Sequence, residues 1–440
     1  MDRATREAFG PELPARAYRI SHRLRLMFVW AVWIVGTLSL FLHVGHYARN
    51  LPYWDDWELV PVITGHEPVT LKWAWAQHNE HHMPVPKLIL AGLFRWVARD
   101  FRTGMYLNAG LLSSAAALMI VLAHRLRGHQ GLTDAVLPLS ILTLAQSEVL
   151  LIGFALNLVL TALLTFELIS VLGRATERPP WQTVIPIGIV LVTLPLCGGS
   201  GLVLLPPLAF WLTGYLCCGW RSGREPGVWA RAFGISALMA CSAIIALYLS
   251  DYVRPPYPPS SFAPGAMVRT TLEFLSLSIN SGATVYWQAA SLTTVALIAG
   301  ALIRLMLVAV RSPHERPRAL GLAAIIISMM GLAVSVGASR SGFGPGMGLS
   351  SRYVALAAPL LSVLYFTWLL YTPARAQRLL QTCILLVVCM SMPFSLQGAR
   401  QRDRLRLQLN RRMERSLKSG ISNSVTLQPF SVTRPGRGGN

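Results

Sequence analysis

The chain reads as an all-α, polytopic transmembrane helical bundle. Two observations carry that reading. Apolar residues fill 53% of the 440 positions and charged residues only 13%, about half the roughly 25% of a soluble globular chain. Charge-free runs then recur along the whole length, at 26–48, 103–124, 179–220, 232–250, 274–303, 319–339, 353–374 and 379–399. A helix needs about 20 apolar residues to cross a bilayer, and each run supplies them. A soluble enzyme, a disulfide-stapled secreted domain and a disordered tail protein are excluded.

Spans are expected near 27–47, 104–124, 132–147, 150–172, 181–197, 201–219, 232–249, 284–304, 319–337, 353–371 and 380–396, which makes eleven. The first follows a basic stretch and is too long for a signal-peptide core. The run 179–220 must be a hairpin, because one helix of that length would overshoot a bilayer about 30 Å thick. Its turn is Cys197-Gly-Gly-Ser-Gly201, with Pro195 before it and Pro206-Pro207 after it. The segment 86–98 is apolar but short and is broken by Arg95, so it reads as an interfacial helix. Residues 1–26 form a basic cytoplasmic segment, 27–396 the bundle with the external loop 48–103, and 397–440 a basic tail. Within the tail, 400–418 has the pattern of a basic surface helix.

The net charge is +20, almost all of it from arginine. In a soluble protein this balance would suggest nucleic acid. Here most of the basic residues lie in short loops, as the positive-inside rule requires, and no nucleic-acid partner is expected. With the N-terminus in the cytoplasm, the inside segments hold 19 basic residues and the outside segments hold 10 before the tail. The tail adds ten; an odd span count places them outside, and a count differing by one places them inside. The six cysteines all lie in or beside apolar runs and read as small hydrophobes.

Residues able to do chemistry gather in the outside segments. Asp55 and Asp56 are adjacent carboxylates between Trp54 and Trp57. Such a pair in a partly dry setting has shifted pKa values and can take a proton from an attacking hydroxyl or amine; a helix cap in an interfacial aromatic belt is the competing reading. His78-Asn-Glu-His-His82 follows. If helical, it puts His78 and His81 or His82 on one face and Glu80 on another side, and imidazole and carboxylate at this density make His78, Glu80 and His81 candidate ligands for a divalent metal. The segment 337–353 crowds Arg340, Arg352 and five glycines, a composition suited to cradling an anion. Ser350-Ser351 is a candidate cap for the next helix, and Glu148, Asn157 and Glu167 are polar candidates in or beside the spans. The stretch 250–262, with Asp251, Arg254 and a proline ridge, reads as a lid or a stiff connector.

This layout resembles the GT-C superfamily of polytopic glycosyltransferases, such as the protein mannosyltransferases and aminoarabinose transferases. The acidic pair Asp55-Asp56 opens a large first external loop, and an amphipathic region follows at 66–98. Arg352-Tyr353 with Pro359 is similar to the R-Y-x5-P signature of a late span. The chain is more closely similar to a set of bacterial membrane proteins with D-D-W, H-N-E-H-R, Q-x-E-N and S-R-Y elements. Those correspond here to Asp55-Asp56-Trp57, His78-Asn79-Glu80-His81, Gln146-Ser147-Glu148 and Ser351-Arg352-Tyr353, together with a Gly201-Leu202 turn. Position 82 is His where that pattern has Arg, and position 149 is Val where it has Asn.

The resemblance implies a transferase of the bacterial inner membrane, with its site on the periplasmic side. It would move a sugar from a polyprenyl-phosphate donor to a lipid or glycan acceptor, with inversion. Asp55 or Asp56 would be the base, and Arg352, Tyr353, Arg340 and Lys87 would hold the phosphate. A metal on His78, Glu80 and His81 would serve the same end. A transporter or flippase, or an accessory subunit of an envelope polysaccharide system, is the alternative. A transporter predicts two related halves with paired broken helices, and no internal repeat is visible.

Overall fold

The computed structural model describes residues 15–218, 225–255, 263–279 and 285–419. Among these residues the fold is all α, with sixteen α-helices joined by short 3-10 turns and no strand. Helix α1 (Ala15–Tyr47) leads into an irregular segment carrying α2 (Val60–Ile63), α3 (Leu71–Trp75) and α4 (Pro84–Trp96). The bundle continues with α5 (Arg102–Arg127), α6 (Val136–Ile141), α7 (Ser147–Leu151), α8 (Leu156–Leu172), α9 (Trp181–Thr193) and α10 (Gly199–Cys218). It closes with α11 (Val228–Ser250), α12 (Pro264–Ser276), α13 (Trp287–Arg311), α14 (Arg316–Arg340), α15 (Tyr353–Tyr371) and α16 (Ala374–Lys418).

Ten helical segments among the described residues are long and apolar enough to cross a membrane, and Trp181–Cys197 is a shorter apolar eleventh. Helix α15 is the centre post. It is buried from Tyr353 through Thr367 and packs on α8, α13 and α14. Helices α11 and α13 instead turn large apolar side chains outward, among them Ile235, Met239, Leu292 and Ile303. Lipid is the environment in which such a surface carries no cost.

The third expected span is not one helix. Residues 132–151 form a 3-10 turn, α6, a second 3-10 turn and α7. Bilayer hydrocarbon tolerates broken helix only where protein covers it, and this stretch is almost wholly enclosed by α1, α5, α15 and α16. Asn108 supports its far end by donating to the carbonyls of Val149 and Ile152 at 2.9 and 3.0 Å.

The 179–220 run is the expected hairpin. Its break falls at Gly198, where φ is 125°. A Cβ at Gly201 would lie 1.9 Å from the Leu194 carbonyl oxygen, so only glycine closes this turn. Helix α10 runs straight through Pro206 and Pro207.

Two other differences position the site. The stretch 250–283, expected to be an external loop, contains α12, which packs on α13 and α14. The last span and the basic tail helix are one helix of 45 residues. Its first half crosses beside α6 and its second half continues past the end of α1, where His43 Nε2 lies 3.2 Å from Asp403 Oδ2. The described tail therefore sits at the same end of the bundle as Asp55 and Asp56.

Candidate functional site

Neighbouring aspartates point to different places. Residues 54–59 form a 3-10 turn that starts from Trp54 in a left-handed conformation, φ 49°. Such a backbone is costly for a bulky residue and needs surrounding support. It sends Asp55 into a cavity and Asp56 into the protein. Asp56 is fully buried; its Oδ1 accepts the Phe154 N–H at 2.9 Å and its Oδ2 accepts the Tyr53 N–H at 3.3 Å. Burial pushes its carboxyl up to about 7, against these two bonds. Asp56 thus ties the turn to the 152–155 segment, while Asp55 keeps a third of its side chain exposed, 33%.

Asp55 begins a ladder of alternating charge. His78 Nε2 meets Asp55 Oδ1 at 3.1 Å and His78 Nδ1 meets Glu58 Oε2 at 3.3 Å. Glu58 Oε1 in turn accepts from Lys87 Nζ at 3.4 Å. Burial alone would lower the imidazole pKa, but the bonds and charges of Asp55 and Glu58 outweigh it and raise it to about 9. His78 is therefore an imidazolium at neutral pH. Burial would raise Asp55, yet the His78 bond and charge, with Arg352 and His81 nearby, hold it below the usual carboxylate range. Lys87 has no exposed surface; it also donates to the Ala76 carbonyl at 2.9 Å and lies over Trp73. It supports the ladder from beneath and does not line the cavity.

The 78–82 stretch is not helical. His78 and His81 exchange backbone hydrogen bonds at 2.8 and 2.9 Å across a tight turn, with Asn79 at φ 50°. Trp54 and Asn79 are the only non-glycine residues with positive φ among those described, and both line the cavity. The turn separates the side chains expected to share a helix face. His81 Nδ1 accepts the Gly199 N–H at 3.3 Å, and Glu80 pairs with Arg340. A divalent ion does not fit these residues as arranged. His78 commits both ring nitrogens to carboxylates, Glu80 faces a guanidinium, and no three His, Cys, Asp or Glu side chains among the described residues converge as a ligand set.

Two arginines from the α14–α15 connection complete the polar wall. Arg340 pairs with Glu80 and donates from Nε to Tyr353 Oη at 3.1 Å. Arg352 Nε lies 3.6 Å from Glu148 Oε2, its backbone N–H donates to the same oxygen at 3.2 Å, and its guanidinium covers the Trp54 ring at 5.3 Å. Ser350 does not cap α15 but donates to Glu148 at 3.2 Å.

The glycines between these arginines have an anion already, and it belongs to the protein. Gly346 and Gly348 direct their N–H groups at the Glu273 carboxylate of α12, at 3.0 to 3.1 Å. Glu273 is fully buried and also accepts from Arg269 at 2.9 Å. A Cβ at Gly348 would lie 2.4 Å from the Thr270 carbonyl oxygen, which explains the glycine.

These groups surround one cavity of about 710 Å³. Its polar end holds Asp55, His78, Glu80, Glu148, Arg340 and Arg352, with Tyr353 alongside. Apolar side chains of α10 and α14, among them Leu202, Val203 and Leu332, line it as well. Asn157 also lines it, whereas Glu167 does not. Arg254 stands at its mouth on a segment latched to the 75–82 region. Gln77 and Val253 exchange a reciprocal amide pair at 2.6 and 2.9 Å, and Trp75 Nε1 donates to Asp251 at 3.1 Å. The 256–262 part of the expected lid lies outside the described residues.

Sequence reasoning missed Glu58 and Glu273 as parts of this arrangement. Glu58 was detectable as the third acid of the Asp55-Asp56-Trp57-Glu58 cluster, three residues along the same turn. Nothing local marks Glu273 as a holder of the glycine segment, since Gly346 and Gly348 lie more than seventy residues away. No family model matches the chain, and no curated protein or solved structure matches it.

Proposed function

We propose that the chain is a membrane glycosyltransferase of the GT-C kind. It moves a sugar from a polyprenyl-phosphate donor to an envelope lipid or glycan, at the periplasmic face of a bacterial inner membrane. One observation carries the reading: a single cavity is lined by a partly exposed carboxylate, two arginines and a set of apolar side chains from the bundle helices. That combination suits a substrate with a reactive polar head and a long hydrocarbon tail. The resemblance in the Asp55 and Arg352-Tyr353 motifs supports it.

In this mechanism Asp55 is the base. Its Oδ1 is held by His78, so the proton of the acceptor hydroxyl or amine passes to the carboxylate as the acceptor atom attacks the anomeric carbon from the opposite face. The new glycosidic bond forms as the bond from that carbon to the phosphate oxygen breaks. The lipid phosphate leaves with the electron pair, and the configuration inverts. Arg340 and Arg352 face the departing negative charge, with Tyr353 fixing the Arg340 fork. Their carboxylate partners Glu80 and Glu148 keep both guanidiniums oriented before the donor arrives.

The test is mass spectrometry of envelope glycans in a deletion strain complemented with the wild-type gene or with Asp55→Asn. A glycan that is lost in the deletion, restored by wild type and not restored by a normally inserted Asp55→Asn protein supports transfer. Full restoration by Asp55→Asn points to a transporter or an accessory subunit.

A further inference from the structure

The described part of the C-terminal tail does not hang free. The outer half of α16 docks through Asp403, Arg406, Asn410 and Met413, which share one helix face and are at most 9% exposed. Three of the four are polar, so this contact is made by specific partners and not by apolar burial alone.

Arg406 has the most consequential partners. Its guanidinium lies 3.9 Å from the centroid of the Tyr53 ring. Its Nη2 donates to the Leu151 carbonyl, at the C-terminal end of α7, where helix carbonyls lack internal partners. Tyr53 opens the turn that carries Asp55, and Leu151 ends the helix that carries Glu148. The same two segments are joined on their other side by Asp56, through the Tyr53 and Phe154 N–H groups. Asp403 anchors the helix against His43, and Arg402 reaches the Ala145 carbonyl at 3.4 Å.

We propose that Arg406 is a positioning residue of the site: by bridging Tyr53 and Leu151 it fixes the Asp55 turn against the Glu148–Arg352 pair. The inference rests on the reading of Asp55 as the working carboxylate, but its test reads position and not sugar transfer. Arg406 holds the turn from outside the cavity: neither Tyr53, whose ring it covers, nor Leu151, whose carbonyl it binds, lines it.

The experiment compares detergent-purified wild type, Arg406→Met and Arg406→Lys by amide hydrogen exchange. It adds NMR titration of the His78 imidazole, which faces Asp55, Glu58, Asn79 and His81. Local loosening exposes amides without global unfolding. The expected result for Arg406→Met is exchange faster by about tenfold or more at 53–59 and 152–156, with α5 and α15 unchanged. The His78 midpoint is expected to fall from about 9 toward the free-imidazole value as its contact with Asp55 loosens. Arg406→Lys keeps the charge but loses the planar fork and is expected to recover only part of the protection. Unchanged exchange and an unchanged His78 midpoint overturn the proposal. So does faster exchange spread evenly over the bundle in both variants, which would make Arg406 a general stability contact. Should Arg406→Met fail to purify, Arg406→Lys alone decides between these outcomes. If the local changes appear while Asp55→Asn leaves the envelope glycans intact, the positioning role stands and the transferase reading falls.

Discussion

Asp55 Oδ1 lies 3.1 Å from His78 Nε2, and the same imidazole reaches Glu58 through its other nitrogen at 3.3 Å. A protonated histidine between two carboxylates keeps Asp55 ionised and leaves one of its oxygens for a substrate. The next residue, Asp56, has both oxygens occupied by backbone N–H groups. The adjacent acids therefore have separable roles, and the separation is testable.

Asp55→Asn is expected to lower turnover by about 10²- to 10⁴-fold, the usual contribution of a positioned base, with little change in thermal stability. Asp56→Asn is expected to do the reverse. An amide leaves one of the buried N–H groups of Tyr53 and Phe154 without an acceptor, and the melting temperature falls while a folded fraction retains activity. Paired melting curves and envelope-glycan profiles distinguish the two.

The ladder also sets a pH dependence. His78 has a folded-state pKa raised to about 9. The stability it contributes is fully present below the ordinary imidazole value of about 6.5 and is lost as pH rises through about 9. Glu58→Gln removes one of the two supporting carboxylates, so the His78 titration midpoint is expected to drop and the alkaline loss of stability to begin at lower pH. Histidine NMR and melting curves from pH 6 to 10 check both. An unmoved midpoint would remove Glu58 from the ladder.

Glu273 holds the glycine connection from below. Glu273→Ala leaves the N–H groups of Gly346 and Gly348 without their acceptor, each at a cost of about 1–3 kcal/mol. Limited proteolysis is expected to cut within 341–352 in this variant and not in wild type. Because Arg340 and Arg352 flank that connection, lipid-phosphate binding is expected to weaken along with it.

The fold was legible where a pattern was local. Charge-free runs located the helices, and Cys197-Gly-Gly-Ser-Gly201 located the hairpin, because glycine density is itself the cause of the break. What could not be read depended on distant partners. The 132–151 segment looked like a weak span because its broken backbone is completed by Asn108. Helix α12 was hidden in an apparent loop because its one diagnostic residue, Glu273, serves glycines far along the chain. Asp55, His78, Glu80, Arg340, Arg352 and Tyr353 do meet around one cavity, whereas Lys87 and Asp56 pack behind its wall. The helical histidine face failed for a local reason, since His78 and His81 pair across a turn instead.

Sidedness needs its own measurement. With the described tail at the Asp55 end, its eight basic residues join the ten already there, against 15 among the described residues at the other end, so charge count alone does not orient the bundle. Single cysteines at Glu67, Arg411 and His314 in a background without the native cysteines settle this. All three sites are exposed. An impermeant maleimide applied to intact spheroplasts is expected to label positions 67 and 411 together and to spare 314. Labelling of 314 alone would put the cavity in the cytoplasm.

The most direct test of the central claim is the thermal stability of purified protein with undecaprenyl phosphate, compared with undecaprenol of the same chain length. The account predicts stabilisation that needs the phosphate and disappears in Arg352→Ala, because that guanidinium lines the same cavity as Asp55 and the apolar side chains. Equal stabilisation by the alcohol, or a phosphate effect that survives in Arg352→Ala and Arg340→Ala, would contradict it.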